Sequence, residues 1–179
     1  IGVVPTPSGV GLSYFLLTLC TEPLVTYSPK LLKDHLAPFF MKYLIDTCTW
    51  RDFYEDRVGI GGKYLGKYAA KFFEKILKEE SIILFSEVLI RELKKDFDKE
   101  RIHDMLHLLV VTGKLQRIEI TEEEFTEAAA LSRERNLPKI DCLCAVQARN
   151  HKACMISEDK HFAKLKDITV TKKPSDFIS

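Results

Sequence analysis

The sequence predicts an α/β domain in which a five-stranded parallel sheet is flanked by helices on both faces. Short apolar segments that are typical of buried strands alternate with longer segments whose apolar residues recur at helical spacing. This alternation is typical of parallel sheets, because a helix returns the chain to the edge from which the next strand starts. A chain of 179 residues, 46% of them hydrophobic, can bury the core that this arrangement needs.

The charge balance argues against one class of function. The formal net charge is +1 at pH 7, so the protein carries no large basic field. Tight, nonspecific coating of duplex nucleic acid needs such a field, so this function is disfavoured. A groove that is basic only locally is still compatible with a net charge near zero. The five cysteines are odd in number and form no pair of CxxC motifs, so we expect small buried thiols in a reducing cytoplasm.

The first forty residues differ in composition from the rest of the chain. They contain five of the seven prolines but only four charged side chains. Their apolar stretch "VGLSYFLLTLC" is too short to span a bilayer, which takes about 20 residues, and it lacks the basic flank of a signal peptide. We expect residues 1–40 to be a poorly ordered or non-native extension and residues 41–179 to form the folded domain.

The first strands and helices follow directly from the pattern. "KYLID" is typical of a short buried strand, and "SIILF" predicts a second one, after which Ser86 is suited to cap a helix. A helix between residues 63 and 78 is indicated by apolar pairs at every fourth position: Tyr64 and Leu65, Tyr68 and Ala69, Phe72 and Phe73, and Ile76 and Leu77.

The second half continues the alternation. "RIHDMLHLLVVTGK" predicts a helix that Gly113 closes, and "LQRIEI" predicts a third strand. Thr121 and Glu124 form a capping box for a helix that runs through Asn136. We expect a further helix to start at Asp141, followed by the strand "ACMIS", a short helical turn in "DKHFAKL" and the last strand "ITV".

Four acidic residues are expected at one edge of this sheet. Asp46 and Asp159 each follow a strand, Asp141 opens the helix that leads into the second of those strands, and Glu92 lies early in the helix after "SIILF". In open α/β sheets, ligands bind beyond the carboxyl ends of the strands. Carboxylates that meet there repel one another, and a divalent cation such as Mg²⁺ or Mn²⁺ relieves that repulsion. Such an ion can activate water and stabilise charge on a phosphodiester. Taken singly, each acid could also be a helix cap or a solvated surface charge.

Four motifs together resemble the PIN domain family, and in particular the VapC-like toxin ribonucleases of type II toxin–antitoxin systems. These motifs are "YLIDTCTW", "SEVLIREL", "LPKIDCLCAVQA" and "MISEDKHFAKL". The family has an aspartate that ends the first strand, a serine followed six residues later by Glu-Leu, an acid that opens a later helix, and a Thr/Ser-x-Asp step. The matching residues are Asp46, Ser86, Glu92, Leu93, Asp141, Ser157 and Asp159. The resemblance covers residues 41–179 and leaves out the first forty.

The resemblance implies a three-layer PIN-like fold and hydrolysis of single-stranded RNA. It implies that Asp46, Glu92, Asp141 and Asp159 are the catalytic residues and bind Mg²⁺ or Mn²⁺. It also implies a homodimer and a cognate antitoxin as partners, and a cytoplasmic protein without a membrane anchor. We further expect Ser157 to orient the cluster. The alternatives are a noncatalytic PIN-like module that binds RNA or protein, and a receiver-type phosphoacceptor domain, which Thr47 beside Asp46 fits poorly.

Two details of the site need separate expectations. Glu87 directly follows Ser86, but five helical residues correspond to a rotation of about 500°, so Glu87 and Glu92 point roughly 140° apart and only one can face the cleft. Family spacing favours Glu92. The insert "RDFYEDRVGIGGKYLGKYAA" is expected to shape a lip over the cleft, with three acids on its surface: Asp52, Glu55 and Asp56.

Basic residues near the predicted cleft could contact RNA phosphates, although an ordinary surface charge is the simpler interpretation of each. The residues concerned are Arg51, Arg149, His151 and Lys160. His103 and His107 lie on one helical face, but the zinc-protease motif needs a glutamate where the sequence has Asp104, and no third ligand is evident.

Overall fold

The central sheet has five strands, and all of them are parallel. The computed structural model describes residues 40–178, so the extension expected over residues 1–40 lies outside the described residues, apart from Phe40. The strands are β1 (Met41–Ile45), β2 (Ser81–Phe85), β3 (Leu115–Arg117), β4 (Cys154–Ile156) and β5 (Thr171–Lys172). Their order across the sheet is β3-β2-β1-β4-β5. The predicted five-stranded parallel sheet is confirmed.

Six α-helices cover the two faces of the sheet within residues 40–178. They are α1 (Thr47–Glu55), α2 (Leu65–Lys78), α3 (Glu87–Leu93), α4 (Lys99–Val111), α5 (Glu122–Arg135) and α6 (Lys139–Asn150). Short 3-10 turns occupy Ile60–Gly62, Lys160–Leu165 and Pro174–Phe177. In this described part of the chain, no helix combines the length and apolar character that crossing a membrane requires.

Two apolar cores lie on opposite faces of the sheet. Along β1, Tyr43 and Ile45 pack with residues of α1 to α4, whereas Leu44 packs with residues of α5 and α6. This alternation is the two-residue period of a strand, and burial on both faces explains why the strands are almost entirely apolar. The helix–sheet–helix arrangement confirms the predicted three layers.

The strand order places a crevice at the centre of one sheet edge. From β1 the chain first builds outward through β2 and β3 and then returns to the other side of β1 with β4 and β5. The connections therefore leave β1 and β4 in opposite directions, which makes the gap between these two strands a topological switch point. In open α/β sheets, ligands bind at switch points of this kind. The Asp46 amide donates to the Ile156 carbonyl at 2.9 Å, which fixes the two strand ends side by side.

Several predicted helix boundaries are confirmed. The helix expected between residues 63 and 78 runs from Leu65 to Lys78. Both hydrogen bonds of the capping box are present: the Glu124 amide donates to Thr121 Oγ1 at 3.2 Å, and the Thr121 amide donates to Glu124 Oε2 at 3.3 Å. Ser86 occupies the N-cap position of α3, but its side chain makes no capping hydrogen bond.

Other elements differ from the prediction. The last strand is Thr171–Lys172 and not "ITV", because the amides of Ile168 and Thr169 both donate to the Leu165 carbonyl and close the preceding turn. Helix α6 starts at Lys139 with Pro138 as its N-cap, so Asp141 lies within its first turn. The third strand ends at Arg117, three residues earlier than "LQRIEI" predicted.

The insert contains a helix that the sequence pattern did not predict. Helix α1 begins immediately after Asp46 and extends to Glu55. The expectation that Asp52 is a surface residue is wrong, because it shares the buried face of this helix with Thr49 and is only 3% exposed. Its carboxylate lies 3.4 Å from Arg57 Nη1. Glu55 and Asp56 are exposed as expected.

Gly66 is a point of close packing in this region, and we expect a side chain there to destabilise the fold. A Cβ atom at Gly66 would lie 2.5 Å from the Cα of Asp56. The backbone would have to move, so Gly66→Ala should lower the free energy of unfolding by about 1–3 kcal/mol. Denaturant unfolding measures this, with the exposed neighbour Lys67→Ala as a control expected within about 0.5 kcal/mol of the native protein. Equal stability of the two variants would contradict the described contact.

Candidate active site

Asp46 is a half-buried member of the predicted acidic cluster. Its Oδ2 accepts a hydrogen bond from Ser157 Oγ at 2.7 Å and another from Cys48 Sγ at 2.8 Å. Burial raises the pKa of Asp46, and Asp159 and Glu92 raise it further, while the two hydrogen bonds act in the opposite direction. A carboxylate in this position is costly to ionise unless positive charge compensates it.

Ser157 joins the carboxyl ends of the two central strands. Besides donating to Asp46, its Oγ accepts a hydrogen bond from the Asp159 amide at 2.9 Å. Only 2% of Ser157 is exposed, so the hydroxyl has little freedom to change partners. The structure therefore places Ser157 where an orienting residue is expected, between two of the four acids.

Asp141 and Asp159 meet at the side chain of His161. The Nδ1 atom of His161 lies 2.9 Å from Asp141 Oδ2 and 3.3 Å from Asp159 Oδ2. The His161 amide also donates to Asp159 Oδ1 at 2.9 Å. Burial raises the pKa of Asp141 to about 6, and Asp46 and Asp159 add to this effect, whereas the hydrogen bond with His161 opposes it. One potential ligand atom from each of the three residues lies within 4.8 Å of the others.

Glu92 reaches the cluster from α3 and is held by α1. Thr47 Oγ1 donates to Glu92 Oε2 at 2.8 Å, and Lys95 Nζ lies 3.6 Å from Glu92 Oε1. Glu92 is half-buried and contributes to the raised pKa of Asp46, whereas Glu87 is exposed. The predicted opposition of Glu87 and Glu92 on the helix agrees with these positions.

Cys144 lies within the electrostatic field of three of the acids. It lies one turn after Asp141 on α6. Burial raises the pKa of its thiol, and the charges of Asp46, Glu92 and Asp141 each raise it further. Cys48, Cys142, Cys144 and Cys154 are free thiols, as expected, but only Cys142 is fully buried and the other three are half-buried.

The hydrogen-bonding pattern of the cluster fits a divalent cation. In Asp46, Asp141 and Glu92, one carboxylate oxygen accepts a hydrogen bond from a neighbouring side chain, while the other accepts none from any residue in 40–178. The first oxygen fixes the orientation of the group, and in Asp46 and Asp141 the second remains available as a ligand, whereas in Glu92 it faces Lys95 at 3.6 Å. Carboxylate oxygens are the donors that Mg²⁺ and Mn²⁺ prefer.

The basic residues expected near the cleft have different environments. Lys160 follows Asp159 directly, is exposed, and forms no ion pair with a described residue. Arg51 is half-buried, with Nη1 3.2 Å from Asp96 Oδ2. The expectation for Arg149 and His151 is wrong, because they lie at the far end of α6 beside the start of β4, and Arg149 binds Glu127. Eight helical residues place Arg149 about 12 Å along the axis from Asp141.

Three further groups at this edge make contacts that the sequence did not predict. Thr47 and His161 lie inside the quoted motifs, and their polar side chains next to a strand end were the available signal. Lys63 is the third group: its Nζ donates to both carboxylate oxygens of Glu158, at 2.8 and 2.9 Å. Because Glu158 precedes Asp159, this ion pair attaches the glycine-rich end of the insert to the segment that carries the acid.

The histidine pair on α4 is separate from this cluster. The rings of His103 and His107 lie 4.9 Å apart, which confirms that they share a helical face. Within the described part of the chain, Asp141, Asp159 and His161 form the only group of at least three potential metal ligands that lie close together, and Asp46 and Glu92 are not part of it. The interpretation of His103 and His107 as a helix-surface pair therefore holds.

Comparison with known families agrees with this geometry. A family model described as "PIN domain" matches residues 43–168, which include all four acids. The chain belongs to the PIN domain family. No curated protein sequence matches this PIN domain at a significant level.

Solved structures share the fold at low sequence identity. VapBC2 from Rickettsia felis, bound to a DNA fragment from its promoter, matches with a TM-score of 0.54 and 16% identity, covering 74% of this chain and 98% of that one. A toxin–antitoxin complex from Klebsiella pneumoniae matches with a TM-score of 0.52 and 19% identity, covering 74% of this chain and 97% of that one. FitAcB from Neisseria gonorrhoeae matches with a TM-score of 0.50 and 14% identity, covering 74% of this chain and 98% of that one. These matches confirm the PIN-like α/β fold.

The raised pKa of Asp141 predicts how stability depends on pH when no ion is bound. In the unfolded chain an aspartate has a pKa of about 3.9. In the folded protein the pKa of Asp141 is about 6, so between these two pH values the native state binds more protons than the unfolded chain does. The free energy of unfolding should therefore be highest below about pH 4 for this group and fall as the pH rises through about 6.

Asp141→Asn removes the charge but keeps an acceptor for His161. In chelator at pH 8, it should raise the free energy of unfolding by about 1–2 kcal/mol, and the gain should disappear near pH 4. Denaturant unfolding between pH 4 and 8 measures the gain. Asp56→Asn is the matched control, because Asp56 is exposed and its positive φ of 48° suits asparagine. No gain at pH 8 would contradict the description of Asp141.

Proposed function

We propose that this PIN domain is an endoribonuclease that uses Mg²⁺ or Mn²⁺ to hydrolyse phosphodiester bonds in single-stranded RNA. The observation that carries the proposal is the electrostatic coupling of four carboxylates from separate parts of the chain near the edge where β1 and β4 end: Asp159 and Glu92 raise the pKa of Asp46, and Asp46 and Asp159 raise that of Asp141. Ser157 donates to Asp46, Thr47 donates to Glu92 and the His161 amide donates to Asp159, while His161 Nδ1 lies 2.9 Å from Asp141 Oδ2. Membership of the PIN domain family supports the same conclusion.

The four acids would hold the ion through the carboxylate oxygens that their neighbours leave available. When bound, the ion would activate water and offset the negative charge that develops on the phosphate. Ser157 keeps Asp46 and Asp159 at a fixed separation, and Thr47 directs Glu92 toward them. Because these contacts exist before substrate binds, the acids need little reorganisation during the reaction.

Lys160 is the best-placed cation for the RNA backbone. It is exposed, lies next to Asp159, and has no acidic partner among the described residues. A phosphate could therefore bind it without first displacing a carboxylate. Arg51 is a weaker candidate, because it would have to exchange Asp96 for a phosphate.

We also propose that the protein is a homodimeric toxin that a cognate antitoxin inhibits. The likeness to a structure described as a toxin–antitoxin complex supports this, as does the sequence resemblance to VapC-like toxins. The insert supports it further, since it exposes three apolar residues, Val58, Ile60 and Tyr64. Grouped exposed apolar side chains are typical of protein interfaces. The Lys63–Glu158 ion pair connects this surface to the acidic edge, so a partner bound here would lie beside the site.

Cleavage of a labelled single-stranded RNA tests the nuclease directly. The native protein should cut with Mg²⁺ or Mn²⁺ and stop in chelator, and Asp46→Asn should lose activity on the order of a hundredfold or more, because a catalytic ion is worth several kcal/mol. Asp56→Asn, the same chemical change on the surface, should retain native activity. Equal activity of the native protein and Asp46→Asn would refute the assignment.

Two glutamates on α3 supply a second matched pair for the same assay. Glu92→Gln should lower the cleavage rate on the order of tenfold or more, since it removes a ligand charge. Glu87 lies on the same helix but is exposed, so Glu87→Gln should change the cleavage rate by less than about twofold. RNA binding without any metal-dependent cleavage would instead favour the noncatalytic module.

A further inference from the structure

The side chain of His161 occupies a position that an ion ligand would occupy. Its Nδ1 lies 2.9 Å from Asp141 Oδ2 and 3.3 Å from Asp159 Oδ2. An ion about 2.1 Å from each ligand separates neighbouring ligand atoms by about 3.0 Å in an octahedron and about 3.4 Å in a tetrahedron. The distances of 2.9 and 3.3 Å fall close to that range, and all three ligand atoms lie within 4.8 Å of one another. One nitrogen and two carboxylate oxygens are therefore near enough to share one ion.

The imidazole is held there by the fold. The 3-10 turn that carries it is anchored by Phe162 and Leu165, which are almost completely buried. The His161 amide donates to Asp159 Oδ1 at 2.9 Å, which fixes the backbone of His161 relative to the acid. The His161 side chain is 35% exposed, so an ion can reach Nδ1 from solvent.

We propose that His161 is a nitrogen ligand of the divalent ion held by Asp141 and Asp159, and that the protein therefore binds Mn²⁺ in preference to Mg²⁺. This rests on the proposed function, because it concerns the same acidic site. Mg²⁺ is a hard ion that is bound almost entirely by oxygen, whereas Mn²⁺, although it shares the preference for carboxylates, stands at the start of the first-row series whose ions also bind nitrogen. As a ligand, Nδ1 is unprotonated and the proton resides on Nε2. The ion then replaces the hydrogen bond that links His161 to Asp141.

The hydrogen bond itself suggests the competing arrangement. If the imidazole instead stayed hydrogen-bonded to Asp141, it would occupy the place of the ion. In that case an ion would have to displace the imidazole, and removing the imidazole would strengthen ion binding. The proposal predicts the opposite effect, so one substitution separates the two arrangements.

The experiment uses the full chain, and all proteins that are compared carry one common substitution. His103 and His107 form a second pair of adjacent imidazoles, so all proteins carry His107→Gln to remove it. The test variant is His161→Gln, and the matched control is His151→Gln at the opposite edge of the sheet. Calorimetry gives the affinity for Mn²⁺ and for Mg²⁺. Pulsed electron paramagnetic resonance of bound Mn²⁺ detects ¹⁴N coupling, which reports a directly bound nitrogen.

The expected result is a ¹⁴N coupling that His161→Gln abolishes and His151→Gln preserves. The affinity for Mn²⁺ should fall on the order of tenfold or more in His161→Gln, with a change of less than about threefold for Mg²⁺. Circular dichroism checks that the variants remain folded. The coupling is read without RNA or catalysis.

Three results would overturn the proposal. Mn²⁺ binding without ¹⁴N coupling, together with metal-dependent RNA cleavage, would show that the acids hold the ion alone and would leave the proposed function intact. Tighter binding of both ions by His161→Gln would show that the imidazole competes with the ion. Absence of both ion binding and cleavage in the native protein would remove the proposed function as well.

Discussion

The structure depends on tolerating a half-buried carboxylate, Asp46, near three other acids. Asp46 directly follows the central strand, and its amide joins that strand to β4. Partial burial and the neighbouring acids oppose ionisation of its carboxyl group. A packed apolar core would be easier to build at this point, because a buried charge costs several kcal/mol without a partner. The arrangement is physically reasonable when a cation belongs to the site.

The fold meets this constraint by bringing donors to the acids from elements that are distant in sequence. Ser157 and Cys48 donate to Asp46, and Thr47 donates to Glu92. These donors stand next to strand ends, so the same backbone that forms the sheet also orients the cluster. The parallel topology contributes as well, because only a switch point leaves an open crevice between neighbouring strands. The strand ends of the sheet therefore position the donors, and the donors orient the acids.

Much of this could be predicted from the sequence, because strand ends are local signals. Apolar runs that stop at Asp46 and at Ser157 fixed the edge of the sheet, and helical spacing separated Glu92 from Glu87. Helix α1 was missed because polar and aromatic residues mask its buried face, and that error placed Asp52 on the surface. Contacts such as Lys63 with Glu158 join distant segments, and no local pattern indicates them.

The measurement that tests the central claim most directly is proton release on ion binding. Calorimetry of Mn²⁺ binding in two buffers of different ionisation enthalpy gives the number of protons displaced at each pH. If the ion replaces protons on the crowded acids, at least roughly half a proton per ion should be released at pH 6, because the pKa of Asp141 is about 6. The release should fall toward zero at pH 8. A release that is absent at pH 6, while Mn²⁺ binds, would contradict the account.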